Sequence, residues 1–195
     1  MSTVELLYYS RGSLARSICL YCGSRAGFSP AFTVAADAFG TAVATRGWGL
    51  VYGGGNIGLM GVAARAALAA GGQVVGIIPQ TLLEHELSLQ AVSELIVTTN
   101  LRERKALMFE RSDAFVALPG GFGTLEEVVE TLTLGQLRYH HKPVFFLNTD
   151  GFFTPLLAFF DHAVAAGFIH PAHLQLFAVV HDVPELLARL EAALS

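Results

Sequence analysis

Two glycine-rich segments hold most of the residues that could do chemistry. One reads Pro119-Gly120-Gly121-Phe122-Gly123-Thr124-Leu125-Glu126-Glu127. It follows an apolar run and leads into a helical pattern. Glycines let a backbone approach a ligand closely, and the first amides of a helix lack partners and favour an anion. Thr124 adds a hydroxyl donor. This is a phosphate cradle, but no Lys-Ser/Thr pair follows as in a Walker loop. A tight turn without a ligand is the plainer reading.

The second segment reads Gly53-Gly54-Gly55-Asn56-Ile57-Gly58-Leu59-Met60-Gly61. Gly53-x-Gly55-x-x-Gly58 matches the spacing of the dinucleotide fingerprint. The acid that grips a ribose about twenty residues further on is missing; that stretch reads Gly71-Gly72-Gln73-Val74-Val75. Two phosphate-friendly turns without that acid suit a mononucleotide better than NAD.

Glu127 has two readings. Thr124-x-x-Glu127 has capping-box spacing, which would make the glutamate structural. Alternatively, the apolar stripe is Leu125, Val128, Val129 and Leu132, and at about 100° per residue Glu127 falls nearly opposite it. A carboxylate in the first turns, beside a phosphate cradle, would lie near a bound sugar. Spacing alone leaves both open.

Arg102-Glu103-Arg104-Lys105 gathers three cations at a helix start, where they oppose the macrodipole. That placement suggests an anionic ligand over a merely solvated face. The seven histidines form no His-Glu-x-x-His pattern, and Gly-x-Ser-x-Gly is absent. Cys19 and Cys22 are spaced like a redox pair. Within a strand, however, positions three apart face opposite ways, so a reducing, cytoplasmic setting without a disulfide is expected.

These segments need elements to position them. Strand patterns fall at 18–22, 49–52, 73–78, 95–98, 114–118, 144–147 and 178–180. Helical patterns lie between them, with a helix or irregular piece at 81–89. Such alternation predicts a single-domain, Rossmann-like, doubly wound parallel sheet of about seven strands, its order beginning 3-2-1-4-5. Its crevice would open between strands one and four. Residues 1–17 read as a leader and 18–195 as the domain. The 195 residues suit one domain. Only 14% are charged, against about 25% in ordinary domains. Sparse charge, together with Leu134 and Leu137 off the helix's apolar stripe, predicts a surface covered by a second copy. Net charge −4 and the lack of a long basic run argue against nucleic acid. No apolar run approaches the roughly 18 residues of a membrane span.

Together the motifs resemble the LOG (Lonely Guy) family of cytokinin riboside 5′-monophosphate phosphoribohydrolases. The signatures are Pro-Gly-Gly-x-Gly-Thr-x-x-Glu at Pro119 to Glu127 and Gly-Gly-Gly-x-x-Gly-Leu-Met-Gly at Gly53 to Gly61. Glu103-Arg104-Lys105-Ala106-Leu107-Met108, Ser112-Asp113-Ala114-Phe115 and Lys142-Pro143-Val144 with Asn148 and Gly151 add to it. Leu101-Arg102 stands where the family often has Met-His. The resemblance implies cleavage of the N-glycosidic bond of N6-modified AMP, with Arg104 and Glu127 as the catalytic pair. It places the phosphate on Gly120, Gly121, Gly123 and Thr124. Further substrate contacts are implied at Gly53, Gly54, Gly55, Gly58, Glu86, Lys105, Phe122, Leu125, Glu126 and Thr133. No cofactor or metal is implied, and a homodimer is. The rival reading is a non-catalytic carrier of nucleotide or molybdenum cofactor. Lysine decarboxylase, a label attached to such sequences, would need a lysine to hold pyridoxal phosphate.

Overall fold

The computed structural model describes residues 16–83 and 92–195. Residues 1–15 of the expected leader and Glu86 lie outside them. Seven parallel strands form one sheet: β1 (Ser17–Tyr21), β2 (Gly49–Tyr52), β3 (Val74–Pro79), β4 (Glu94–Thr98), β5 (Ala114–Ala117), β6 (Val144–Leu147) and β7 (Ala178–Val180). The helices are α1 (Pro30–Thr45), α2 (Gly58–Ala69), α3 (Gln80–Leu83), α4 (Leu101–Glu110), α5 (Phe122–Gln136), α6 (Thr154–Ala165) and α7 (Val183–Leu194), with 3₁₀ turns at Thr149–Gly151 and Pro171–Leu176. Ser17, expected in the leader, opens β1.

The strand order is β4-β3-β2-β1-β5-β6-β7. The doubly wound parallel class and the 3-2-1 core are as expected. The fourth strand is not: it adds outside β3, and β1 pairs instead with β5. Burial explains the choice. Ala114-Phe115-Val116-Ala117 is buried throughout and fits the sheet centre. Glu94-Leu95-Ile96-Val97-Thr98 is only partly buried, with Val97 47% exposed, and suits an edge. The switch point of the sheet therefore lies between β1 and β5.

Two apolar layers cover the sheet. Leu20, Phe39, Leu50, Leu59 and Leu186 belong to one, built with α1, α2 and α7. Tyr21, Met108, Phe115, Val128 and Phe146 belong to the other, built with α4, α5 and α6. Cys22 joins the first layer and Cys19 the second, so period two separates them as anticipated, and both are free. Helix starts follow local chemistry. Ser29 Oγ accepts from Ala31 N ahead of Pro30. Asp182 Oδ1 accepts from Glu185 N, and Glu185 Oε2 accepts from His181 N.

Candidate active site

The two glycine-rich turns meet at Gly23, just beyond β1. Gly23 N donates to Pro119 O at 3.0 Å, and Gly23 O accepts from Leu59 N at 3.0 Å. One residue thus ties the start of α2 to the loop before α5. Contact is close enough that side chains are excluded. A Cβ on Gly58 would lie 2.2 Å from the Ser24 carbonyl carbon, and one on Gly120 would lie 2.0 Å from Thr124 Oγ1. Gly54 and Gly55 complete the turn after β2, and a Cβ on Gly53 would come 3.6 Å from the Arg104 guanidinium.

Helix α5 starts at Phe122, with Gly121 as its N-cap and no side chain capping it. Its first amides are therefore open to an anion. Nothing lies within 4 Å of a Cβ built on Gly121 or Gly123, and Phe122 is 93% exposed. Thr124 is buried in the third helical position, its hydroxyl against Gly120. A cavity of about 350 Å³ opens at the switch point between the loops that follow β1 and β5, lined among others by Ser24, Arg25, Gly120, Gly121 and Phe152.

Glu127 is not a cap. Its carboxylate accepts from Arg104 Nη2, which reaches it from α4. The expected stripe on α5 holds for buried Val128 and for Leu125 and Leu132, which pack partly buried against the same layer, but not for Val129, which is 41% exposed; the fully buried face also takes in Thr124, Glu127, Thr131 and Gly135. Polar pairing makes that possible. Thr131 Oγ1 donates to Glu127 O at 3.0 Å, so its lone pair accepts the Tyr21 hydroxyl at 3.0 Å. These two anchors were not foreseen. Their signal was a tyrosine ending an apolar strand and a threonine one helical turn past the glutamate.

Burial pushes the Glu127 carboxyl above its ordinary range, and the Arg104 charge pulls it part of the way back. Arg104 keeps Nε buried with no hydrogen-bond partner among the described residues. Asn100 caps α4 by accepting from Arg102 N and Glu103 N, and Met108 anchors the helix in the core. The cation cluster is partly answered within the protein: Lys105 Nζ donates to Glu126 and lies 2.9 Å from Glu130 Oε2. Arg102 is exposed. Leu125 is half-buried against the α5-side layer. Thr133 is exposed, donates to Val129 O, and lines an apolar groove with Gln136, Phe160 and Leu174. Among the described residues, no three His, Cys, Asp or Glu side chains are grouped to hold a metal ion.

Residues 60–190 match the protein family described as "Possible lysine decarboxylase". The probable cytokinin riboside 5′-monophosphate phosphoribohydrolase LOGL9 of Oryza sativa subsp. japonica is 49% identical over 176 residues, covering 90% of this chain and 78% of the relative. The cytokinin riboside 5′-monophosphate phosphoribohydrolase LOG5 of Arabidopsis thaliana is 45% identical over 177 residues, covering 91% and 78%. Among solved structures, the molybdenum cofactor carrier protein of Chlamydomonas reinhardtii superposes with a TM-score of 0.71 at 28% identity, covering 92% of this chain and 98% of that one.

Proposed function

The chain belongs to the LOG family of cytokinin riboside 5′-monophosphate phosphoribohydrolases, and we propose that it hydrolyses the N-glycosidic bond of AMP and N6-modified AMP, releasing free base and ribose 5-phosphate. The observation that carries this reading is the buried Arg104–Glu127 pair beside an uncapped, glycine-led helix start.

In this reading the phosphate sits on the open amides of Gly121, Phe122 and Gly123, at the positive end of α5. Arg104 turns its guanidinium, including the spare Nε, to substrate oxygens. As the C1′–N9 bond breaks, its electron pair leaves with the base and the ribose gains positive charge. The Glu127 carboxylate stabilises that charge and takes a proton from the water that adds to C1′. The proton taken up by Glu127 is then passed on to a ring nitrogen of the departing base, so that one water is consumed and the carboxylate is restored.

The family description as a lysine decarboxylase finds no support in the residues. The chain has two lysines, Lys105 and Lys142. Lys105 is held by two carboxylates, and Lys142 Nζ donates to Phe109 O and lies over the Phe109 ring. Neither fits a Schiff-base lysine. A carrier role has the fold likeness behind it, but a pure binder has no use for a buried carboxylate beside a phosphate cradle.

A cytoplasmic homodimer is part of the proposal. Exposed Val129 on α5 and Leu137 at its C-cap, with exposed Phe159 on α6 and Phe168 after it, support the second copy. Two free, buried cysteines support a reducing compartment. Among the described residues, no helix is long and apolar enough to cross a membrane. The deciding experiment is incubation with AMP and isopentenyl-AMP, with chromatographic separation of free base. Release of base is expected, and nucleotide recovered intact would overturn the reading.

A further inference from the structure

The loop that leaves β1 is held at both ends. At its start, Gly23 joins the two glycine-rich turns. At its far end, Ser29 Oγ donates to Asp150 Oδ2 at 2.6 Å, in the 3₁₀ turn after β6. The same hydroxyl oxygen accepts from Ala31 N as the cap of α1. Between the two ends, residues 24–28 are exposed. Ser24, Arg25, Ala26 and Gly27 share the cavity of about 350 Å³ with Gly120 and Gly121.

Asp150 holds Ser29 from an uncommon backbone. Its φ is 52° and its ψ 26°, in the left-handed region that residues other than glycine seldom occupy. The turn beneath it is anchored to the sheet. Asn148 is buried, and its N donates to Val180 O at 2.8 Å. Its Oδ1 accepts from Phe153 N at 2.7 Å, and its Nδ2 donates to Thr154 Oγ1 at 3.2 Å. A backbone held this firmly can keep a residue in a sparsely populated region. Aromatic packing runs alongside. Phe32 of α1 meets Phe152 edge-on, with ring centroids 5.7 Å apart. Gly27 lies so close to Phe32 that a Cβ there would come 2.8 Å from the ring.

We propose that Asp150 is a positioning residue for substrate binding: from a left-handed turn anchored to the sheet it clasps Ser29, and so holds loop 24–28 along the cavity beside the phosphate cradle, with Arg25 on the same wall as Gly120 and Gly121. The inference rests on the hydrolase reading above for the identity of the substrate.

The plainer role is support of α1, whose first turn has no acidic residue. A carboxylate near that helix start is favourable. But an acidic residue on α1 itself would supply it without a left-handed backbone. A contact made 121 positions along the chain, to the residue that ends the loop, does something more. It limits where the loop can go. A loop freed at one end samples many positions, only a fraction of which suit the substrate, and apparent affinity falls by that fraction.

The test follows AMP hydrolysis, AMP affinity by calorimetry, and melting temperature in full-length variants. Asp150→Gly removes the clasp and relieves the backbone, since glycine takes a positive φ freely. It should melt close to wild type, while KM and Kd for AMP rise about tenfold and kcat stays within about twofold. Asp150→Asn keeps an oxygen for Ser29 and tolerates the left-handed region. It should bind AMP like wild type, although the charge is gone. Ser29→Ala should raise KM as Asp150→Gly does, and the two together should cost no more than one, because both break the same contact. If Ser29→Ala does not fold once its cap is lost, Asp150→Gly still decides. Unchanged KM and Kd in Asp150→Gly, or an Asp150→Asn variant as weak as Asp150→Gly, overturns the proposal. A wild-type chain that binds AMP but releases no base would instead overturn the hydrolase reading, and Kd alone would then decide the role of Asp150.

Discussion

Arg104 gives Nη2 to Glu127, 23 positions away, and keeps its Nε buried without a partner among the described residues. The two side chains are 13% and 8% exposed. A buried ion pair is a weak source of stability, since desolvation offsets much of the attraction. An unused donor on the same guanidinium is harder still to explain by folding. Both features make sense in a site whose remaining hydrogen bonds are completed by a substrate.

Glu127→Gln separates chemistry from packing. Gln keeps the size and still accepts from Arg104, but it carries no charge. Base release should fall by about 10²-fold or more, the scale of losing one electrostatic contact to a transition state. Affinity for the phosphate should change little, because the α5 amides are untouched. Rate, binding and melting temperature measured on one preparation check this. Full activity in the variant would remove Glu127 from the mechanism.

The raised Glu127 carboxyl gives a signed pH dependence. Catalysis needs it ionised, so the acidic limb of kcat/KM should lie above the ordinary carboxylate value of 4.5. Stability runs the other way. A carboxyl raised in the folded state contributes stability fully below its unfolded value, and that contribution is lost as pH rises through the folded value. Wild type should therefore lose melting temperature relative to Glu127→Gln as pH rises above the ordinary value of 4.5 and through the raised folded value. A melting-temperature difference that stays constant as the pH rises would count against a raised, buried carboxyl at Glu127.

Much of this was legible in the sequence, for identifiable reasons. Glycine turns and caps are local, so Ser29-Pro30, Asp182 with Glu185, and both glycine-rich turns could be read where they stand. The face of α5 could not, because a helical wheel ranks residues by apolarity. Here the buried face carries Glu127 and Thr131, whose polar groups are paired by Arg104 and Tyr21 from elsewhere in the chain. The exposed Val129 belongs to a groove shared with Leu174 and Phe177. Placing β4 failed for a related reason. Pairing is non-local, and only the weaker burial of Glu94 and Val97 marked it as an edge.

Gly120 and Gly121 are neighbours with opposite steric tolerance. A methyl at Gly120 would strike Thr124 Oγ1 at 2.0 Å and Gly23 N at 2.8 Å, while one at Gly121 meets nothing within 4 Å. Gly120→Ala should move the loop off Gly23, lower the melting temperature and weaken nucleotide binding at least about tenfold. Gly121→Ala should melt close to wild type. Equal melting temperatures for the two variants would mean that the loop does not depend on this close approach.

The proposed dimer predicts a sedimenting species of twice the 20.8 kDa chain mass at micromolar concentration. Val129→Asp, on the exposed side of α5, should shift it toward monomer, because a charge in a covered apolar face is costly to bury. A wild-type monomer at that concentration would overturn the proposal, leaving Val129 and Leu137 as ordinary exposed apolar side chains.

The cradle is worth building only if the phosphate is part of the substrate. No side chain caps the amides at the start of α5, and hydrogen bonds to a charged partner contribute about 1.5–3 kcal/mol each. Losing two such bonds is a factor of about 10² or more in kcat/KM. Adenosine carries the same base, ribose and scissile bond as AMP but no phosphate, so it should be cleaved at least that much more slowly. Inorganic phosphate should inhibit AMP hydrolysis competitively, since it would occupy the same amides. Ribose 5-phosphate should inhibit more strongly, as it also offers hydroxyls to Arg104. Equal rates on adenosine and AMP would show that the glycine-led start of α5 is a folding device and that the substrate is held by its base alone.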